Sequence, residues 1–207
     1  MGFNISGLII DQNLKDDLTT LETVLGEKLI FEKEVTFEEA SENWKDDHCC
    51  DIYFSETGTL IFLAMERGGF EFYPKKQDAF SFVLSEMTMT FSINYVEKGV
   101  LIRSYLVAED EVLQDEGDLF DFENAQEDKS EVIYQLFEKT LGESFHAIDV
   151  EGTCYRYSFK TIDPVNDLNE VNFEESEKSI EFENPVLNTP NQFQVLPQKA
   201  NPWWKFW

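Results

Sequence analysis

Two hairpin signals in the middle of the chain constrain its fold most strongly. The segments 51–65 and 87–108 each contain two strand-like stretches joined by a glycine-containing turn, at 56–58 and 97–99. In the second segment, apolar residues recur at every second position: Met87, Met89, Phe91, Ile93 and Tyr95. This spacing predicts strands with one buried face. Consecutive hairpins predict an antiparallel meander, because parallel strands require crossover connections.

Helical patterns flank these hairpins. Leucines recur at helical spacing between Leu14 and Leu25, with caps offered by Asp11 or Asn13 and a glycine stop at Gly26. Residues 128–141 repeat this pattern before Gly142, and a short helix is predicted from Thr36 through Trp44. Further strands are predicted at residues 3–10, 28–36 and 154–159. The prediction is an α+β domain over residues 1–160, with an antiparallel meander sheet packed by two or three amphipathic helices and followed by an extended C-terminal tail.

The C-terminal region differs in composition from the rest. Residues 161–202 contain few aliphatic residues and five of the six prolines, which predicts an extended, flexible segment. Residues 203–207 are predicted to be an aromatic docking peptide, whose aromatic residues are Trp203, Trp204, Phe206 and Trp207. Such a cluster needs a surface that buries it. That surface belongs to the same domain, to a partner or second copy of the chain, or to a membrane interface, unless the residues are a cloning remnant.

Charge limits the classes of partner. The chain has 42 acidic and 16 basic residues and a formal net charge of −26. This charge repels phosphate backbones and anionic lipid headgroups, so nucleic-acid binding and electrostatic membrane attachment are not expected. A basic protein is the complementary partner, because opposite fields accelerate encounter. The alternative is that the acidic surface serves solubility alone.

Residues 109–123 are the best candidate for a partner-binding segment within the domain. The proposed contact residues there are Asp115, Glu116, Asp118, Phe120, Asp121 and Phe122. Acidic rims around aromatic anchors suit an interface with a basic protein. The alternative is that the phenylalanines return to the core while the carboxylates remain solvated.

No reaction is identified by a motif. His48, Cys49 and Cys50 are the densest group of soft ligands, but no C-x₂-C pair accompanies them, so neither a metal nor a cofactor is predicted. Adjacent cysteines on a strand would point to opposite faces. The three cysteines do not suggest a disulfide framework, and no secretory signal or membrane span is visible. A cytoplasmic location is therefore expected.

These observations favour a non-enzymatic, acidic protein-binding module, one version of which is an inhibitor or immunity-type protein that masks a basic partner. A first alternative is an adaptor or assembly subunit recruited through its aromatic C-terminus, with self-association as one form of this. A second alternative is a small hydrolase whose carboxylate pair is hidden among the surface acids.

Overall fold

A computed structural model describes residues 2–42, 45–68, 72–125 and 128–161. Within these residues the chain forms a nine-stranded sheet in which every pairing is antiparallel. The strands are β1 Asn4–Ile10, β2 Glu27–Thr36, β3 Cys49–Phe54, β4 Thr59–Leu63, β5 Asp78–Ser85, β6 Thr90–Glu97, β7 Val100–Ala108, β8 Glu111–Gly117 and β9 Thr153–Thr161. The helices are α1 Leu18–Leu25, α2 Phe37–Ala40, α3 Met65–Gly68 and α4 Lys129–Leu141. The predicted α+β class and antiparallel sheet are confirmed, and residues 162–207 of the predicted tail lie outside the described residues.

The order of strands across the sheet is β2-β9-β3-β4-β1-β5-β6-β7-β8. Strands β5 to β8 pair in chain order as a meander, which contains the predicted hairpin of β6 and β7 and also β8, a strand that the sequence did not predict. The other half of the sheet is not a meander, because β1 lies between β4 and β5, and β9 lies between β2 and β3. Period-two alternation predicts that a segment is a strand, but it does not specify which distant strand pairs with it.

Apolar residues are buried on both faces of the sheet. Successive residues of β1 point to opposite faces, so Ile9 belongs to one buried cluster and Leu8 to the other. Leu136 and Phe137 of α4 join the first cluster, and Leu21 of α1 joins the second. Helical residues therefore contribute to the core on each side of the sheet.

Both longer helices end as their sequences predict. The α4 helix begins after Asp128, whose carboxylate accepts a hydrogen bond from the Ser130 amide at 2.9 Å, and it ends at Gly142 with φ 82°. The α1 helix ends at Gly26 with φ 72°, but it begins after Asp17, later than predicted. Glycine suits the left-handed position after a helix because it has no Cβ.

Two local predictions are wrong in part. Met87 and Met89 are 73% and 48% exposed, because they lie in the turn before β6 rather than on its buried face. The α2 helix is only four residues long and ends at Ala40, before the predicted limit at Trp44, which lies outside the described residues.

Candidate protein-binding edge

Strand β8 forms one edge of the sheet. It pairs with β7, and no other strand in the described part of the chain pairs with it. The sequence predicts only an acidic segment here, because charged residues interrupt the apolar alternation that marks a strand. The structure therefore adds a secondary-structure element to the predicted contact segment. We call the strand and its flanking turns, residues 109–121, the acidic edge.

The turn that leads into the acidic edge has an unusual composition. Two residues, Glu109 and Asp110, join β7 to β8, and their φ angles are 51° and 65°. Positive φ at both central residues is the pattern of a type I′ turn, which favours Asn-Gly or Asp-Gly. The preceding hairpin has the same pattern at Lys98 and Gly99, with φ 46° and 85°. The β7–β8 turn thus carries two carboxylates where the backbone favours asparagine and glycine.

Carboxylates of the acidic edge are exposed. No basic side chain in the described residues lies within ion-pair distance of six of them. These six are Glu109, Asp110, Glu111, Glu116, Asp118 and Asp121. Residues 109–123 contain no lysine or arginine. The edge therefore presents concentrated negative charge to solvent.

A buried arginine fixes the acidic edge to the rest of the sheet. The Arg103 side chain is 1% exposed, and its Nη2 and Nε atoms donate to the two carboxylate oxygens of Glu123 at 2.6 and 3.1 Å. Its Nη1 atom donates to Asp115 Oδ1 at 2.6 Å and to the Glu116 carbonyl at 3.0 Å. Burial alone would lower the pKa of Arg103, but hydrogen bonds to Glu123 and Asp115 outweigh it and raise that pKa above its ordinary value.

Gly117 lies directly opposite Arg103 at the end of β8. Its φ of 87° is in the left-handed region, and a Cβ at this position would collide with the Ile102 carbonyl. A glycine is therefore required at this position of the edge.

The phenylalanines of the predicted contact segment pack inward. Phe120 and Phe122 stack on each other with ring centroids 5.2 Å apart, and both are partly buried against the first core cluster. Phe120 also forms a T-shaped pair with Tyr95, with ring centroids 5.3 Å apart. The exposed apolar groups of the edge are instead Val112 and Leu113, each 54% exposed, and Leu119, which is 49% exposed.

The remaining predicted contact residues divide into two sets. Asp115, Glu116, Asp118 and Asp121 all lie on the acidic edge and are exposed, although Asp115 is paired with Arg103. The aromatic residues of the terminal peptide lie outside the described residues: Trp203, Trp204, Phe206 and Trp207. Sequence reasoning did not identify Arg103, Val112 or Leu113, and the opposition of Arg103 to a glycine becomes visible only once β7 and β8 are paired.

A second buried charge network lies near the other end of the sheet. Asp51 is fully buried and accepts hydrogen bonds from Arg156 Nε and Nη2 at 2.7 and 2.8 Å. Lys45 Nζ lies 2.8 Å from Asp51 Oδ2. Hydrogen bonds to Asp51 raise the pKa of Arg156. The buried carboxylate is thus paired with both basic side chains.

The soft-ligand group does not converge on a metal position. Cys50 is fully buried while Cys49 is partly exposed and His48 exposed, so adjacent cysteines on β3 point apart as predicted. Across the described ranges, no three histidine, cysteine or acidic side chains form a cluster that could hold a metal ion. All three cysteines are free.

A small cavity of about 10 Å³ lies beside β1, and its lining includes Ser6, Glu42 and Lys45. That volume holds about one water molecule. Glu42 is the one carboxylate in this lining, whereas carboxylate-based glycoside hydrolysis uses a pair. In the residues that the structure describes, no helix is both long and apolar enough to cross a bilayer.

Comparison with known proteins gives no relative. No family model, no curated protein and no solved structure matches the chain.

Proposed function

We propose that this protein is an acidic protein-binding module that engages a basic partner through its acidic edge. The main support for the proposal is the set of six exposed carboxylates that have no basic side chain within ion-pair distance among the residues that the structure describes. Two of them, Glu109 and Asp110, occupy turn positions where the backbone favours other residues. Residues held in sparsely populated backbone regions often mark functional sites.

Rigid support strengthens the proposal. Arg103, which is itself held by the buried Glu123 carboxylate, binds the acidic edge through the Asp115 carboxylate and the Glu116 carbonyl, so the backbone of β8 is anchored before a partner arrives. A preorganised surface loses less conformational freedom on binding. Val112 and Leu113 supply exposed apolar area between the acids. One concrete version of this function is an inhibitor or immunity-type protein that masks a basic toxin or enzyme.

The test compares charge reversal at two edges of the same sheet. Glu111→Lys/Glu116→Lys reverses two exposed charges on β8, and Glu32→Lys/Glu34→Lys makes the same change in net charge on the opposite edge strand, β2. Binding of the full chain to a basic globular protein, cytochrome c, is measured at about 0.02 M and 0.3 M salt.

We expect the unmodified chain to bind at low salt and to weaken as salt rises, because salt screens exposed charges. The β8 variant should lose about tenfold or more affinity, and the β2 control should lose much less. Equal losses in both variants would assign the binding to net charge alone. No binding by the unmodified chain would refute the proposal.

A second candidate function is an adaptor that is recruited through its terminal aromatic residues. It is favoured by the sequence itself, since Trp203, Trp204 and Trp207 account for three of the four tryptophans. A chain that ends at Pro202 tests this candidate. Loss of a partner from native lysate with an unchanged melting temperature supports the adaptor, whereas a melting temperature several degrees lower would assign these residues to the fold.

A further inference from the structure

We propose that the acidic edge binds its partner by strand addition, in which an extended basic segment pairs with β8 as a tenth strand. This inference rests on the proposed function and specifies how that function is carried out. An edge strand presents main-chain amide and carbonyl groups that can pair with another chain. In the described part of the chain, β8 has a strand partner on one side only.

The charges on β8 favour a basic partner strand over a second copy of β8. In a symmetric antiparallel pairing of two copies, Glu111, Asp115 and Glu116 of one β8 would face a second acidic strand, and like charges directly opposite each other are destabilising. The edge is therefore protected against self-association. A basic strand is attracted instead, because a lysine or arginine opposite Glu111 or Glu116 would face a carboxylate. Selectivity thus comes from repulsion of the wrong partner as well as attraction of the right one.

Register defines the sequence pattern of the expected partner. Glu111 and Glu116 lie opposite Ala108 and Ser104 of β7, so they share one face of the sheet. Asp115 lies opposite Tyr105 on the other face, where Arg103 already binds it. Gln114, opposite Leu106, lies between the two glutamates on this face, so a partner strand needs basic residues that share one face and lie opposite Glu111 and Glu116.

A bulge in β8 lies beside the apolar residues that could contact a partner strand. The register of β8 against β7 shifts between Leu106 and Val107, which leaves Leu113 as the extra residue. Gln114–Gly117 continues in regular register beyond it. The regular part can accept main-chain hydrogen bonds, and the exposed side chains of Val112 and Leu113 can pack against apolar residues of the incoming strand.

The experiment uses the full chain and a capped nine-residue peptide of alternating lysine and valine. Two further peptides carry backbone N-methyl groups on every lysine or on every valine, which preserves charge but removes amide donors. A fourth replaces each valine with proline. Affinities are measured by titration at low salt, together with hydrogen exchange of the β8 amides.

Strand addition predicts that one N-methylated peptide loses about tenfold or more affinity while the other keeps it, since alternate residues of a strand direct their amides to opposite sides. The proline peptide should bind weakly, and exchange at Gln114–Gly117 should slow with the parent peptide. Equal binding by all four peptides would overturn strand addition but leave basic-partner binding intact. Failure of every peptide and of cytochrome c would overturn the proposed function as well.

Discussion

Replacement of Arg103 by methionine tests how the acidic edge is held. The guanidinium is 1% exposed and the Glu123 carboxylate 4% exposed, so Arg103→Met leaves a buried carboxylate without its partner. Loss of one partner from a buried ion pair costs about 3–5 kcal/mol of unfolding free energy. The Asp115 carboxylate is 55% exposed, so its interaction with Arg103 should contribute less than about 1 kcal/mol.

The double variant Arg103→Met/Glu123→Leu distinguishes the cost of an unpaired buried charge from the cost of lost packing. Replacement of both charged groups by apolar groups removes the unpaired charge, so the double variant should be destabilised by only about 1–3 kcal/mol. The two single variants should therefore be non-additive, with a coupling energy of at least about 2 kcal/mol. Asp115→Asn is the matched control, with an expected effect below about 1 kcal/mol.

The assay is equilibrium unfolding of the full chain in guanidinium chloride, followed by circular dichroism. A midpoint shift without a change in slope would report stability alone. A cost below about 1 kcal/mol for Arg103→Met would show that the Arg103–Glu123 pair does not hold the edge, as would a double variant that costs the sum of the two single variants.

Three further predictions concern the turn, alkaline pH and the second charge network. Glu109→Asn/Asp110→Gly should raise the unfolding free energy by about 0.5–1 kcal/mol, because asparagine and glycine suit positive φ. The same variant should bind cytochrome c more weakly, and a loss of stability in denaturant titrations would contradict the prediction. Burial raises the pKa of Cys154 from 9.0 to about 12, and burial together with the hydrogen bond to Glu143 raises that of Tyr53 from 10.0 to about 12. The contribution of these two groups to the unfolding free energy is complete below their unfolded-state pKa values and is lost as pH rises between about 9 and 12. The unfolding free energy should therefore fall over this pH range, and Cys154→Ala should reduce the slope of unfolding free energy against pH. An identical slope in the variant would count against this prediction. Asp51→Asn should cost about 3 kcal/mol by leaving Lys45 and Arg156 without their buried counter-charge, whereas Asp46→Asn, an exposed control, should change the melting temperature little.

Local signals made much of the fold predictable. The hairpin turns at residues 56–58 and 97–99 and the glycine stops at Gly26 and Gly142 each depend on a few neighbouring residues. The order of strands was not predictable in the same way. Nothing in the sequence of β1 or β9 specifies the distant strands between which they lie, because that choice depends on burial of both faces of the completed sheet.

The candidate site was predictable in composition but not in form. The concentration of acids between Glu109 and Glu123 was evident from the sequence. The strand was missed because a Glu-Asp turn is not a hairpin signal and β8 has no regular apolar alternation. Arg103 was missed because a charged residue is expected at the surface unless its partners are known.

Hydrogen exchange of the full chain with and without bound cytochrome c, read by mass spectrometry, tests most directly where a basic partner binds. We expect slower exchange in peptides that cover residues 109–121, with little change in peptides that cover β2 at the opposite end of the sheet. Protection centred on β2, or spread evenly over the described domain while residues 109–121 exchange as in the free protein, would contradict this expectation.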